Sequence, residues 1–408
     1  MVQCRFCGTV LVETFVDLGT APLANSYVKL EDNNSLEPFF PVHVYVCSNC
    51  LLVQLKECES ALKIFSDYAY FSSYSKSWLD QSKRYVECVI DRFKLNKESQ
   101  IVEIASNDGY LLQYFVEKGI SALGIDPAAN VAKIAEERKV PTIVKFFGTK
   151  LAKELLENGC QADLLIGNNV LAHVPDINDF VAGMKILLKQ NGRITMEFPH
   201  LMNLINGNQF DTIYHEHFSY LSLYFVEQLF RKHGLYLFDV EELPSHGGSI
   251  RIFVTHIDSN IPESERLVDL RRREKEFGLY ELKNYFSFGS KVAITKRKLL
   301  DFLIKTKNEG KTVVGYGAPA KGNSLLNYCG IRTDFLDYTV DASPHKQGLY
   351  LPGVRIPIYA PSKIMETKPD YILILPWNIR EEIMNQMSKV REWGCKFIIA
   401  IPEVKIFS

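Results

Sequence analysis

The stretch QIVEIASNDGY, residues 100–110, decides the fold. Its first half is apolar apart from Gln100 and Glu103, as in a strand buried within a sheet, and residues 106–109 have the composition of a tight turn. A helical pattern follows over residues 110–118, and the apolar run SALGID at residues 121–126 predicts the next strand. Strands that alternate with helices of this length predict a parallel sheet covered by helices on both faces.

The same alternation extends along the chain on the C-terminal side of this stretch. A helix is expected at residues 128–138 and a strand at 162–167, and a charged stretch at 263–275 has a helical periodicity that continues to about residue 302. A second alternating unit follows, with strands expected at residues 312–315, 338–340, 371–375 and 396–400. The C-terminal part is therefore predicted to be an α/β domain of a type similar to the central one.

With 408 residues, the chain is too long for one ordinary domain. Its first 75 residues differ from the rest, because they are rich in cysteine, proline and short β-type runs such as VHVYV at residues 42–46. We expect an α/β protein of three domains, with limits at residues 1–75, 76–285 and 286–408.

The composition is typical of a soluble globular protein and makes nucleic acid a less favoured partner, although a local basic patch is still possible. Apolar residues make up 47% of the chain, and 47 basic residues balance 48 acidic ones, so no charge excess predicts a nucleic acid or an anionic membrane as the partner. No apolar run approaches the roughly 20 residues that span a bilayer, and the start, MVQCRFCG, lacks the apolar core of a signal peptide. We expect a cytoplasmic monomer.

Four of the nine cysteines form two C-x2-C pairs, Cys4 with Cys7 and Cys47 with Cys50. Each such turn brings two thiolates to one point at about 2.3 Å from Zn²⁺, so two turns complete a tetrahedron. Four thiolates leave no position for water, which predicts a structural zinc site; the alternative is four coincidental free cysteines. Zinc ribbons are common in nucleic-acid-binding proteins, so the quartet alone says little about function.

The turn after the first strand is not the G-x-G-x-x-G turn of dinucleotide-binding proteins, because Ala105 and Asn107 replace its first two glycines. Glu103 can instead hold the ammonium group of an amino-acid-like cofactor, and Asp126, which ends the second strand, can accept the hydroxyls of a ribose. Together these acids favour S-adenosylmethionine over NAD, although Asp126 could merely cap the following helix. The predicted cofactor residues are Glu103, Ala105, Ser106, Asn107, Asp108, Asp126, Asn168 and Asn169.

The segment YHEHFSY, residues 214–220, contains several groups suited to proton transfer. It resembles the zinc motif H-E-x-x-H, but His215 and His217 are two positions apart and cannot share one face of a helix. General acid–base chemistry near neutral pH is the better interpretation, with zinc binding as the alternative. His173, in the loop NNVLAHV at residues 168–174, is either a further site residue or a hydrogen-bonded histidine of the core.

Two glycine-rich turns are candidate substrate sites. SHGGS, residues 245–249, could let backbone N–H groups approach a substrate, and it contains His246; the alternative is a simple turn. GYGAPAKGN, residues 315–323, follows an expected strand and could bind phosphate at a helix N-terminus, with Lys321 as a cation. It lacks the spacing of a Walker P-loop, and a structural turn is equally compatible with it.

Taken together, the cysteine quartet and the motifs EIASNDG, NVLAHV, YHEHFSY and HGGS resemble the zinc-containing C-methyltransferases of deoxysugar biosynthesis. The closest resemblance is to the TDP-sugar C-3 methyltransferases of the mycarose and tetronitrose type, and it covers essentially the whole chain. It implies a zinc domain, a central Rossmann-like class I methyltransferase domain and a C-terminal α/β domain, with a nucleotide-linked sugar in the cleft between the outer two domains.

The resemblance also implies residue roles in the methylation of a 4-keto sugar. His217 would remove the C-3 proton, although His215 is a close neighbour, while Tyr214 and Glu216 would polarise the site. His173 and Tyr68 would complete the surroundings of the keto sugar. The substrate-binding residues would include His246, Lys321 and Asn323, the last two at the nucleotide diphosphate.

Two other functions remain open from the sequence alone. One is an O- or N-methyltransferase acting on a small metabolite. The other is a zinc-ribbon nucleic-acid-binding protein with an inactive methyltransferase domain, against which the balanced charge argues.

Overall fold

A computed structural model describes residues 2–65, 71–74 and 76–408. Tyr68, predicted to lie near the sugar, falls outside the described residues. The chain forms two compact units, each built from separate stretches. The first unit contains residues 1–12, 47–201 and 218–282, and the second contains residues 13–46, 202–217 and 283–408.

The core of the first unit is a seven-stranded sheet in the order β10-β11-β8-β7-β4-β5-β6. The strands of the first unit are β3 (Val53–Leu55), β4 (Gln100–Ile104), β5 (Ser121–Ile125), β6 (Thr142–Ile143), β7 (Ala162–Asn168), β8 (Leu188–Pro199), β9 (Ser219–Tyr220), β10 (Leu235–Leu243) and β11 (Ser249–His256). Its helices are α1 (Ala61–Phe65), α2 (Lys76–Phe93), α3 (Gln113–Glu117), α4 (Ala129–Glu137), α5 (Thr149–Glu157), α6 (Ile177–Leu187), α8 (Leu223–Lys232) and α9 (Glu265–Phe277).

Strand pairing in this sheet creates a ligand-binding edge. Strands β6, β5, β4, β7 and β8 run parallel, while β11 runs antiparallel to both β8 and β10. The strand order reverses between β4 and β7, and ligands of open α/β sheets bind outside the carboxyl ends of the strands at such a reversal. The turn after β4 and the loop after β7, both singled out in the sequence, lie at this edge.

The second unit contains a six-stranded sheet in the order β14-β13-β12-β15-β16-β17 and the antiparallel pair β1–β2. Its strands are β1 (Glu13–Ala21), β2 (Phe40–Val46), β12 (Val313–Tyr316), β13 (Thr339–Val340), β14 (Ile358–Tyr359), β15 (Tyr371–Ile374), β16 (Lys396–Ile399) and β17 (Lys405–Phe407). Its helices are α7 (Leu201–Asn206), α10 (Phe288–Asn308), α11 (Ala320–Cys329), α12 (Lys363–Thr367) and α13 (Arg380–Gln386). The first residue of α7, Leu201, is the last residue of a first-unit stretch.

Counted along the chain, the strands of this sheet follow the order 3-2-1-4-5-6 of the Rossmann fold, with only the last strand antiparallel. The prediction of an α/β domain similar in type to the central one is therefore confirmed. The order reverses between β12 and β15, so the turn GYGAPAKGN after β12 lies at a position where such sheets bind ligands.

The helical periodicity expected from the charged stretch to about residue 302 corresponds to two helices, because α9 ends at Phe277. Gly278 follows with φ of 97°, a left-handed conformation that glycine adopts at low cost and that ends a helix. The next α-helix begins at Phe288. Within the described residues, no helix is both long enough and apolar enough to cross a membrane.

Candidate active site and metal centre

The four cysteines predicted to bind metal converge in the first unit. Their Sγ atoms all lie within 4.8 Å of one another, and the Cys4–Cys50, Cys7–Cys47 and Cys7–Cys50 separations are 3.6, 3.5 and 3.7 Å. A tetrahedron with Zn–S bonds of about 2.3 Å has edges of about 3.8 Å, so the quartet fits Zn²⁺. All four positions of such an ion would be protein ligands, which makes the site structural.

Local backbone geometry explains how each C-x2-C turn presents its thiolates. The Gly8 N–H donates to the Cys4 carbonyl over 2.9 Å, and the Leu51 N–H donates to the Cys47 carbonyl over 3.0 Å. Gly8 and Leu51 both have positive φ, 77° and 60°, so each knuckle closes through a left-handed residue. Gln54, which the sequence did not single out, donates its side-chain N–H to Cys4 Sγ over 3.1 Å. A hydrogen bond of this kind, from a residue that does not itself bind the metal, orients the metal ligand.

The turn after β4 has an unusual backbone. Ala105, Asn107 and Gly109 have φ values of 58°, 49° and 73°, and two such residues other than glycine in one turn carry strain of the kind that gathers at ligand sites. The turn is tied to the end of β5, because the Asn107 N–H donates to Asp126 over 2.9 Å. Asp126 also accepts the Ala128 N–H over 2.9 Å, so it does fix the start of α4.

Glu103 is fully buried at the end of β4, and neither of its carboxylate oxygens has a hydrogen-bond partner of normal geometry within the described residues. Burial raises the pKa of Glu103 well above its ordinary value, and the Tyr110 hydroxyl offsets this only in part. Burial also raises the pKa of Asp126. Buried acceptors that lack a well-formed hydrogen bond suit a ligand that donates, because leaving them unpaired is costly.

The loop after β7 adds two further acceptors of the same kind. The side-chain oxygens of Asn168 and Asn169 are buried without a hydrogen-bond partner in the part of the chain that the structure describes. S-adenosylmethionine carries an ammonium group, two ribose hydroxyls and an exocyclic amine, which are donors that this set of acceptors can bind. The residues present therefore fit the cofactor.

Aromatic side chains that sequence analysis missed surround this edge. The Asn168 side-chain N–H donates to the Tyr110 hydroxyl over 3.4 Å, and the Trp78 ring lies 6.0 Å from the Tyr110 ring. Trp78 also contacts His246 at 5.7 Å between centroids, and Asn169 contacts His246 Nε2 at 3.3 Å. The structure thus brings together residues from α2, the β4 turn, the β7 loop and the HGGS turn.

Two predicted residues have structural partners instead. Asp108 forms an ion pair with Arg138 at 3.3 Å and accepts the Ser73 hydroxyl at 2.5 Å. His173 lies beside Phe65, with 5.7 Å between ring centroids. The predicted cofactor role of Asp108 and the predicted sugar-binding role of His173 stay predictions.

In the second unit, the segment Tyr214–His217 forms a turn with two accessible members. His217 Nδ1 lies 2.7 Å from the Thr212 carbonyl oxygen, so Nδ1 carries the proton and Nε2 carries the lone pair. The Tyr214 ring is 4.1 Å from the His217 ring, and both side chains are half-buried. His215 is buried to 3% exposure and packs edge-on against Phe40.

Glu216 is the acid of this segment, and it is only 4% exposed. Burial raises its pKa to about 7, and a hydrogen bond from the Asn25 side chain, 2.6 Å long, works in the opposite direction. Burial also lowers the pKa of His215, which favours its neutral form, while the neighbouring backbone of Phe40 and Pro41 offsets part of this effect.

Comparison with known proteins identifies the family. Three family models match in succession: a zinc binding domain over residues 4–65, a methyltransferase domain over residues 78–240 and a C-methyltransferase C-terminal domain over residues 244–402. The C-methyltransferase NovU of Streptomyces niveus is 35% identical over 406 residues, which cover 100% of this chain and 97% of NovU. The chain belongs to the C-methyltransferase family. It is an S-adenosylmethionine-dependent enzyme with a zinc-binding domain, as predicted.

Other matches are more distant. A ubiquinone biosynthesis O-methyltransferase of Bartonella quintana is 26% identical over 94 residues, which cover 23% of this chain and 38% of that protein. A solved S-adenosylmethionine-dependent methyltransferase from Anabaena variabilis is 12% identical with a TM-score of 0.36, and the match covers 50% of this chain and 99% of that one.

The HGGS turn of this C-methyltransferase is held in a strained shape. His246, Gly247 and Gly248 have φ values of 54°, 90° and 115°. The turn is anchored by Glu197, which accepts the Ser245 hydroxyl over 2.7 Å and pairs with Arg251 at 2.6 Å. Glu197 and Arg251 lie on the paired strands β8 and β11, and their apolar surroundings in the sequence gave no signal of this role.

The C-methyltransferase's GYGAPAKGN turn is also tied to its own unit. Several of its backbone N–H groups are already used: for example, Gly317 donates to the Val340 carbonyl over 2.6 Å, and Ala318 donates to Asp341 over 2.7 Å. Lys321 donates to Asn378 over 2.9 Å and lies 5.0 Å from the Trp377 ring centroid. The substrate-binding roles of Lys321 and Asn323 stay predictions.

Proposed function

We propose that this C-methyltransferase methylates C-3 of a nucleotide-linked 4-keto-6-deoxy sugar through an enolate. The observation that carries the proposal is the hydrogen bond between His217 Nδ1 and the Thr212 carbonyl. It fixes the ring in the tautomer whose Nε2 can accept a proton. A carbon acid beside a ketone is the substrate that needs such a base, whereas many O- and N-methylations proceed without one.

His217 starts the proposed reaction. Its Nε2 takes the C-3 proton, and the electrons of the C–H bond form the C-3–C-4 double bond of the enolate. General base catalysis by a positioned imidazole contributes typically about 10²- to 10⁴-fold in rate. Tyr214, whose ring lies against the His217 ring, limits the directions in which that ring can turn.

Glu216 is the proposed donor to the oxygen on C-4. With its pKa raised to about 7, a large fraction of Glu216 is protonated at neutral pH. A neutral carboxylic acid can donate a hydrogen bond to the negative charge that develops on the keto oxygen, as buried acids do in other enolising enzymes. His215, buried and beside Phe40, supports the turn in this scheme.

The first unit would hold the methyl donor through Glu103, Asp126 and the two asparagines after β7. When bound, S-adenosylmethionine would supply the methyl group to the enolate carbon. The methyl–sulfur bond would break with its electrons left on sulfur, so that S-adenosylhomocysteine is released and C-4 becomes a ketone again. Glu216 keeps its proton throughout, and His217 then releases the C-3 proton to solvent, so protons balance over the cycle.

The nucleotide part of the substrate is assigned to the second unit. The crevice at the reversal between β12 and β15 is the expected ligand position of a sheet with this strand order. Lys321, beside the Trp377 ring, lies there and offers a cation for phosphate.

The test is turnover with a panel of nucleotide-linked 4-keto-6-deoxyhexoses deuterated at C-3, followed by mass spectrometry. We expect a gain of one methylene and the loss of the C-3 deuterium in the same product. A matched sugar with a hydroxyl instead of the ketone at C-4 should not react. Methylation that retains the deuterium would overturn the proposal and indicate an O- or N-methyltransferase.

A further inference from the structure

The strongest unassigned contact near the proposed acid comes from Asn25. Its side-chain N–H donates to Glu216 Oε1 over 2.6 Å, and the two residues are 191 positions apart in the sequence. Asn25 is half-buried, Glu216 is buried, and both belong to the second unit. None of the sequence motifs contains Asn25.

The loop that carries Asn25 is anchored on both sides to the GYGAPAKGN turn. On one side, Asn323 Nδ2 donates to the Ala24 carbonyl over 2.6 Å. On the other, the Tyr27 hydroxyl donates to the Ala318 carbonyl over 2.5 Å. Asn25 lies between these two anchors, so its position depends on that turn.

The start of α11, at the end of the GYGAPAKGN turn, also contacts the segment that contains Glu216. The Ser324 hydroxyl donates to the Ile213 carbonyl over 3.1 Å. Adjacent residues of one helix, Asn323 and Ser324, therefore fix the loop of Asn25 and the turn of Glu216 relative to each other. Asn323 is only 1% exposed, which suits an anchor better than a substrate ligand.

We propose that Asn25 is a positioning residue that directs the proton of neutral Glu216 onto Oε2, with the first turn of α11 as the support for both residues. Asn25 donates to Oε1, so Oε1 acts as the acceptor and the acidic proton resides on the other oxygen. The proposal rests on the proposed function, in which Glu216 donates to the keto oxygen. It assigns Asn323 and Ser324 to the support of that acid.

The hydrogen bond from Asn25 determines the direction in which loss of Asn25 shifts the pKa of Glu216. A donor stabilises the carboxylate more than the neutral acid, so loss of Asn25 raises the pKa of Glu216 further. Among the described residues, Tyr27 on the Asn25 loop interacts electrostatically with Glu216, and Tyr214, His215 and His217 are its titratable neighbours on the turn. Activity requires neutral Glu216, so the rate should fall as the pH rises through the pKa of Glu216.

The test compares pH profiles of kcat for the whole enzyme and the variant Asn25→Ala. We expect the falling limb to move to higher pH by about one unit, as the loss of a hydrogen bond to a charged group predicts. We also expect kcat near neutral pH to fall about tenfold, while KM changes little because Asn25 acts through Glu216. Asn34→Ala, an exposed asparagine of the same unit, is the control and should behave like the wild type. If both the falling limb and the kcat of Asn25→Ala are the same as in the wild type, the assignment is overturned.

A double-mutant cycle separates this proposal from the proposed function. The single variant Glu216→Gln tests the role of the acid. The falling limb of its kcat–pH profile should disappear, and a profile that keeps this limb would exclude Glu216 from the mechanism. In the Glu216→Gln background, Asn25→Ala should have little further effect on kcat, whereas two fully additive losses would show that Asn25 does not act through Glu216. If the alanine variant does not fold, Asn25→Asp preserves the shape of the side chain, and it should move the falling limb to still higher pH.

Discussion

Two histidines of one turn differ completely in their surroundings. His215 is buried beside Phe40, and burial lowers its pKa. His217 is half-buried, and its Nδ1 is fixed by the Thr212 carbonyl. A base must hold a lone pair in a defined direction, and the fixed tautomer of His217 favours it over His215.

The first prediction at the residue scale concerns His217→Ala. Turnover should fall by about 10²-fold or more, since a general base contributes at least that much. Binding of S-adenosylmethionine should persist, because the residues predicted to hold it belong to the first unit and His217 to the second. Both quantities can be measured, turnover by product mass and cofactor binding by calorimetry.

The control is His345→Ala, which removes an exposed histidine of the second unit. It should retain both turnover and cofactor binding. Turnover near the wild-type level in His217→Ala would exclude this histidine as the base.

At the scale of elements, the turn after β4 depends on the absence of a side chain in the neighbouring strand. A Cβ atom at Gly124 of β5 would lie 2.4 Å from Ser106 Oγ and 2.9 Å from Thr142 Oγ1. Ser106 belongs to the predicted cofactor turn, and its neighbours Ala105 and Asn107 already have positive φ. The glycine of GID is thus required by packing against the turn and not by its own φ.

Gly124→Ala should therefore weaken the binding of S-adenosylmethionine about tenfold, because overpacking of this kind costs typically about 1–3 kcal/mol and falls on the turn. The measurement is calorimetric titration of the variant with the cofactor. The matched control is Gly315→Ala in β12, where the new Cβ would lie 2.6 Å from Thr339 Oγ1. That variant should lose thermal stability while it keeps the cofactor affinity of the wild type. Equal affinities for the cofactor in all three proteins would contradict this account of the turn.

At the scale of the whole molecule, the zinc quartet lies where the chain leaves and re-enters the first unit. Cys4 and Cys7 precede the excursion of residues 13–46 into the second unit, and Cys47 and Cys50 follow it. A metal that joins these pairs closes a loop of about forty residues, and binding free energy at such a site contributes directly to folding.

We expect about one zinc ion per chain after purification without added metal, in line with a closed four-thiolate site. Removal of zinc by a chelator, or the substitution Cys50→Ser, should lower the temperature of thermal unfolding by several degrees. Cys88→Ser, which changes an exposed cysteine outside the quartet, should leave zinc content and unfolding temperature unchanged. A zinc-free chain that unfolds at the same temperature as the zinc-loaded one would contradict a structural role.

Much of the architecture could be predicted because it depends on local patterns. The strands expected at residues 100–105, 121–126 and 162–167 are observed as β4, β5 and β7, within one residue at each end. Apolar runs of this length are typical of strands that are buried on both faces, and they can be recognised from consecutive residues alone. The periodic pattern does not show where α9 ends, because a single glycine does not interrupt such a pattern strongly enough to outweigh its neighbours.

The sequence by itself determined the zinc quartet, the parallel sheets and the acids at the strand ends, because each is specified by residues close together in the chain. Only the tertiary structure decided which histidine of the turn is accessible, and which residues support the site. Asn25 reaches Glu216 across 191 positions, and Arg251 reaches Glu197 across 54. Such contacts join residues that are far apart in the sequence and become neighbours only when the chain folds, so local sequence patterns do not predict them.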